Sequence, residues 1–330
     1  MIGRTAEGKR LPVIVDTDVA ADDWMAMLFL LRHPDVEVRA VLVSATGEAH
    51  AGPGVRTAAN LLALARQAHV PVAVGRESPL MGNHAFPDHV RRAVDEVMGL
   101  TLPENPAPDV RPDAVALLHS TLLNCQQKAV LVALGPLTNL GEAVQRHFDL
   151  ARYVEMLYVM GGAVDVPGNL HAEGEAAGNV FAEWNLYCDP YAADIVFQSG
   201  LPITLVPLDA TNQVPMTREF RDRLARDRTT PEADFVHRII ARTEAYFKLE
   251  YTYFWDPLAA AIATDNSLGH FEERKLKVVY DEGGQSGRTV ESADGMPIRV
   301  CVGVDVPRFE QFFVDVLNGR LASNRNKEVT

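Results

Sequence analysis

Cysteine is scarce in this chain, three among 330 residues, and Cys125, Cys188 and Cys301 stand far apart with no C-x-x-C pair. Neither a disulfide framework nor a thiolate zinc site is therefore expected, and each cysteine reads as a small buried hydrophobe. Positive charge is also short: 31 basic residues face 44 acidic ones, a formal charge of −13. That balance repels phosphate backbones and anionic lipid, which excludes a nucleic-acid polymer and a membrane surface as expected partners. No apolar run approaches the roughly 20 residues of a membrane span, and the opening MIGRTAEGKR has no apolar stretch behind its positive charges. A cytoplasmic protein is expected.

Apolar residues, at 47%, are plentiful enough to bury a sizeable core. Short β-rich runs alternate with helix-period segments: VIV (13–15) then 23–33, VRAVLVSA (38–45) then 53–68, PVAV (71–74), AVLVAL (129–134) then 137–148, MLYVM (156–160) then 189–199, and ITLVP (203–207) then 217–228. Alternation of this kind predicts βαβ units: an α/β fold with an open, mostly parallel sheet, helices on both faces, and function at the carboxyl ends of the strands. No composition break divides the chain, so one domain over 1–330 is expected, with 1–10 and 322–330 flexible. PENPAPDVRP (103–112) reads as a loop, the Gly-rich stretch 161–178 as a long functional loop, and VVYDEGGQSGRTV (278–290) as a late β-hairpin around Gly283 and Gly284.

One stretch departs from ordinary composition. LPVIVDTDVAADDWMAMLFLL (11–31) sets Asp16, Asp18, Asp22 and Asp23 between a strand-like run and a helical one, at a strand-to-helix turn. A single aspartate there would cap the helix or complement its dipole. Four are too many for that, because converging carboxylates must protonate, splay apart or share a cation. With no His or Cys nearby the ligand set is all oxygen, which points to calcium or magnesium, and flexible carboxylate sites tilt toward calcium. An EF-hand loop is excluded, since counting from Asp16 the fifth and sixth positions are Ala20 and Ala21.

The spacing D-x-D-x-x-x-D-D after an opening strand resembles the signature of the nucleoside hydrolases, the inosine-uridine type N-ribohydrolases. Further stretches resemble family motifs in the same order: ALGPLTNL (133–140), MGGAVDVPGN (160–169), AEWNLYCDP (182–190) and FWDPLAAA (254–261), closing with VDVPRFEQFFVDVL (304–317). The resemblance runs from about residue 12 to about 317. It implies calcium held by Asp18, Asp23, Asp256 and the main-chain carbonyl of Leu134, with Asp16 supporting the loop and Asp18 as general base. It also implies that Asp22, Asn169, Glu183, Asn185 and Asp256 hold sugar hydroxyls, that the substrate is a small nucleoside or related glycoside, and that the protein is a homodimer or homotetramer. Asn179 competes with Asn169 for its role. Asp256 before Pro257 and Asp189 before Pro190 also read as helix caps, and at Asp189 the cap is preferred.

Two departures bear on specificity. Pyrimidine-preferring relatives commonly carry His before the late ligand aspartate, whereas this chain has Trp255, which resembles the purine-preferring branch, where an aromatic face stacks on the leaving base. The second tryptophan of that branch is missing; Phe86, His84 and His89 are the alternatives, while Trp24 and Trp184 read as structural. Glu48 occupies the position after the second strand where the family normally has Asn, at the sugar, with His50 near enough to pair with it. Two other readings stand beside hydrolysis: a calcium-dependent sugar-binding protein without turnover, and a haloacid dehalogenase-like phosphatase with Asp16 as nucleophile. The second needs a downstream acidic motif, usually Gly-Asp, and the chain contains no such pair.

Overall fold

The computed structural model describes residues 10–146, 149–170, 178–246 and 252–321. Along the chain lie β1 (Leu11–Thr17), α1 (Ala21–Arg32), β2 (Val36–Val43), α2 (Ala51–Leu64), β3 (Val72–Val74), α3 (Asp88–Asp95), β4 (Val110–Arg111), α4 (Ala114–Asn124), β5 (Ala129–Ala133), α5 (Thr138–Arg146), β6 (Val154–Met160) and α6 (Trp184–Cys188). They are followed by α7 (Pro190–Gln198), β7 (Ile203–Val206), α8 (Leu208–Thr211), α9 (Arg218–Asp227), α10 (Pro231–Tyr246), α11 (Trp255–Thr264), β8 (Gly269–Val278), β9 (Thr289–Glu291), β10 (Met296–Val304) and α12 (Val306–Leu317).

The ten strands form one sheet in the order β4-β3-β2-β1-β5-β6-β7-β10-β8-β9. Pairing is parallel from β4 to β10, and antiparallel where β8 joins β10 and β9. Strands β1 and β5 read as nearly continuous apolar runs because the sheet is covered on both faces. Alternate residues feed separate cores: Val13 and Val15 pack with α1, α2 and α10–α12, while Ile14 packs with α4, α5 and α7. From β1 the order runs outward in both directions, through β2 on one side and β5 on the other, so the crevice at their carboxyl ends is a topological switch point.

Helix α1 is buried almost all round, from Asp23 to Leu31, which explains its lack of a polar face. It packs against alanine-rich α11, and the first turns of the two helices carry Asp22 and Asp23, and Asp256. The expected alternation and late hairpin are present, with boundaries shifted by a few residues. The 103–112 loop ends in the edge strand β4, and the helix expected over 137–148 runs Thr138–Arg146, with 147–148 outside the described residues. Residues 1–9, 322–330 and most of the second half of the 161–178 loop likewise lie outside them.

Candidate active site

The turn between β1 and α1 is strained in a way that serves the cluster. Val19 sits in the left-handed region at φ 62, unusual for a β-branched residue. Trp24 Nε1 donates to the Val19 carbonyl at 2.5 Å and Val19 N donates to Thr17 Oγ1 at 3.0 Å, holding the kink. Trp24 is thus structural, as its sequence context suggests. Asp18 Oδ2 accepts from Glu48 N at 2.9 Å, across the β2–α2 turn. Gly47 makes that approach possible: a Cβ there would stand 2.1 Å from Asp18 Oδ2. Asp23 accepts from the Thr17 hydroxyl and, at 3.0 Å, from Ala20 N. Asp16 lies behind the cluster, accepting from Asn139 Nδ2 at 2.8 Å and so tying β1 to the start of α5.

Oxygens of Asp22, Asp23 and Asp256 lie within 4.8 Å of one another, and Asp18 is within hydrogen-bonding reach of Asp23. Burial, reinforced by neighbouring carboxylates, pushes Asp22 and Asp23 up to about 7 and raises Asp18 and Asp256 well above the carboxylate range. Among the described residues no Lys, Arg or His lines the cleft to offset them, and Asp256 Oδ1 is buried with no hydrogen-bond partner there. Convergent, buried, all-oxygen donors lacking a positive side chain fit a hard divalent cation. Asp256 is not a cap, since Phe254 occupies that position and Asp256 falls in the first turn of α11. Asp189 does cap α7, accepting from Ala192 N at 3.1 Å.

The carboxylates form the floor of a cleft of about 100 Å³. Asp18, Asp22, Asp23, Glu48, Leu134, Asn169, Glu183, Asn185, Trp255 and Asp256 all line it. Glu183 caps α6, with Oε1 accepting from Asn185 N at 2.9 Å and Oε2 from Gly162 N and Leu186 N at 2.9 and 3.2 Å. Asn185 Nδ2 donates to the carbonyls of Leu134 at 2.9 Å and Met160 at 3.2 Å, which orients its Oδ1 as the remaining acceptor. Asn169 Oδ1 accepts from Trp184 N at 3.1 Å and leaves its amide N–H groups as donors. Asn179 instead bonds Ser286 O at 2.8 Å and is absent from the lining. The Glu48 carboxylate reaches the cleft, its pKa raised by burial and by Asp18, and His50 pairs with Asp95, not with Glu48.

The aromatic lining is only partly read from the sequence. Trp184, read there as structural, faces the cleft, and Phe86 stacks on it with ring centroids 4.6 Å apart at 21°. For Trp184 a signal existed, since it stands between Glu183 and Asn185 in one short helix. Phe86, one of three alternatives, gives none locally; of the others, His89 is exposed on α3 and His84 stacks on Tyr187.

Solved structures resemble this fold closely. The inosine-uridine preferring nucleoside hydrolase from Bacillus anthracis aligns with TM-score 0.80 and 27% identity, covering 94% of this chain and 99% of that one. The purine-preferring ribonucleoside hydrolase from Gardnerella vaginalis aligns with TM-score 0.80 and 26% identity, over 93% and 98%. In sequence, the pyrimidine-specific ribonucleoside hydrolase RihA of Klebsiella pneumoniae is 31% identical over 323 residues, 94% of this chain and 98% of that protein. The RihA of Salmonella typhi is 32% identical over 324 residues, with the same coverage. These relatives include both base preferences, so they leave the purine expectation open. The family model for inosine-uridine preferring nucleoside hydrolases matches residues 13–311, and the chain belongs to that family, as a hydrolase of the N-glycosidic bond of ribonucleosides.

Proposed function

We propose that this hydrolase is calcium-dependent, that Asp18 is its general base, and that its substrate is a purine nucleoside or a closely related glycoside. The observation that carries this reading is the convergence of Asp18, Asp22, Asp23 and Asp256 in one cleft whose described lining holds no cationic side chain. Asp18, Asp23, Asp256 and the Leu134 carbonyl would hold the ion, with Asp16 and Asn139 fixing the loop behind them. A bound calcium would supply charge to anchor hydroxyls and would acidify a water.

Asp18 would take the proton from the attacking water, its carboxylate fixed by the Glu48 N–H. Asp22, Asp256, Glu48, Glu183, Asn169 and Asn185 would hold the sugar. The backbone bonds to Glu183 and the amide bonds of Asn185 fix both side chains before substrate arrives, and the acidic groups favour the positive charge that develops on the oxocarbenium-like ring. Trp255, Trp184 and Phe86 supply apolar faces on which the larger surface of a purine stacks best. Three cysteines without a disulfide fit a reducing compartment, hence a cytoplasmic site, and family resemblance favours a homodimer or homotetramer. No helix among the described residues is long and apolar enough to cross a membrane.

The test is release of free base from inosine, adenosine, guanosine and uridine by purified protein. Purine release should stop on chelation, return with calcium, and fall by about 10³-fold in Asp18→Ala. Turnover that survives chelation, or survives in Asp18→Ala, defeats the mechanism; faster release of uracil than of any purine base defeats the base assignment.

A further inference from the structure

Between β3 and α3 the chain runs as a strap, residues 79–87, over α6. Leu80 N donates to Asp189 Oδ2 at 2.7 Å, the His84 ring lies on that of Tyr187 at 4.1 Å and 9°, and Phe86 lies on Trp184. His84 Nδ1 stands 2.8 Å from the carbonyl oxygen of Tyr187, and Nε2 stands 3.1 Å from Glu282 Oε2. Both ring nitrogens therefore face acceptor oxygens, one on α6 and one on the β8–β9 connection, and His84 bridges the two.

Glu282 belongs to the connection between β8 and β9, which is itself seated on α6. Gly287, at φ 82, brings the backbone so near Tyr187 that a Cβ would lie 2.7 Å from Tyr187 Cα. Asn179 Nδ2 adds a bond to Ser286 O. Gly82, at φ 78, brings the strap's backbone equally near Glu282, where a Cβ would stand 2.8 Å from Oε1. The strap is held between a short helix that lines the cleft and a hairpin that does not.

We propose that His84 is a positioning residue for the hydrolysis: by bridging Tyr187 and Glu282 it fixes the strap that presents Phe86, so the late hairpin sets the grip on the leaving base. This rests on reading the cleft as the nucleoside site. Of the strap's residues only Phe86 lines the cleft, so the bridge acts on the base end, although Tyr187 shares its short helix with Asn185 and donates its N–H to the Glu183 carbonyl.

The experiment is steady-state hydrolysis by the calcium-loaded enzyme of whichever nucleoside it turns over fastest, with inhibition by free ribose measured in parallel. Glu282→Gln, whose side chain is 65% exposed, keeps the test independent of folding. It should raise KM about fivefold. His84→Ala should raise KM about 20-fold, and adding Glu282→Gln to it should change nothing more, because Glu282 acts only through His84. In all variants kcat should stay within about twofold and ribose inhibition should be unchanged. An unmoved KM in Glu282→Gln, or a loss of kcat and of ribose inhibition alongside KM, overturns the bridge while leaving hydrolysis standing. A wild-type enzyme that cleaves no nucleoside instead overturns the reading of the cleft, and the bridge's role with it.

Discussion

The acidic floor and the aromatic rim of the cleft are held by different means. On the floor, Asp18, Asp23 and Asp256 are 2%, 1% and 2% exposed and project from a strand exit and two helix starts, where neighbouring backbone fixes them. On the rim, Trp184 and Trp255 are half-buried, and Phe86 rides on a strap whose last anchor is an exposed glutamate. On the proposed reading, chemistry with ångström tolerance would sit on the sheet, and recognition of the base on connections that can vary without disturbing it. Relatives 26–32% identical to this chain include pyrimidine-specific and purine-preferring enzymes.

The sharpest way to break this comparison is to disturb the floor without touching a carboxylate. In Gly47→Ala the new methyl collides with Asp18, so the carboxylate proposed as the base would be displaced and kcat should fall about 100-fold. Gly52→Ala is the control, since a Cβ there meets nothing within 4 Å and activity should be retained. Circular dichroism on both separates displacement from unfolding. A Gly47→Ala enzyme that is folded and fully active would mean that the floor adapts and is not rigid.

Substitutions on the rim should act differently. Phe86→Ala and Trp184→Ala each remove a stacking face, for which a KM increase of about tenfold is expected with kcat much less affected. Because a purine covers more of that surface, the loss should be greater for inosine than for uridine. Equal losses for the two bases would remove the rim from base selection, and a collapse of kcat would erase the distinction between rim and floor.

The floor was legible in sequence because its parts lie close together there or at element starts. Asp16 to Asp23 fall within one turn, Leu134 at a strand end, and Asp256 at the beginning of an apolar helix. Their juxtaposition, which the family resemblance implies, follows from strand order and from the packing of α1 on α11, neither of which is read from hydrophobic periodicity. The rim was less legible for a physical reason. Phe86 meets Trp184, and His84 meets Tyr187 and Glu282, through contacts between segments far apart in the chain, and no local pattern distinguishes a strap from a loop. Asp256 shows the converse error of local reading: Asp-Pro looks like a cap, yet the helix begins one residue before it.

The smallest effect concerns pH, and it too should separate floor from rim. Without a bound cation Asp22 and Asp23 are raised to about 7, so the folded chain keeps protons that the unfolded chain releases near 3.8. Stability contributed by these groups is therefore intact below 3.8, declines as pH rises through the interval, and is fully lost above about 7. On the proposed reading calcium would replace those protons, so its stabilising effect should grow with pH. His33, pushed down to about 4 by burial, works in the opposite direction but lies away from the cleft and cancels when calcium-loaded and chelated samples are compared at one pH. The gap in Tm between those samples should widen by roughly 5 °C from pH 5 to pH 8. Asp22→Asn should flatten that dependence and Phe86→Ala should leave it intact, because only the first removes a titrating group from the floor. A gap that is constant with pH in the wild-type protein would mean that the carboxylates are already ionised without a cation, and burial would no longer explain why they need one.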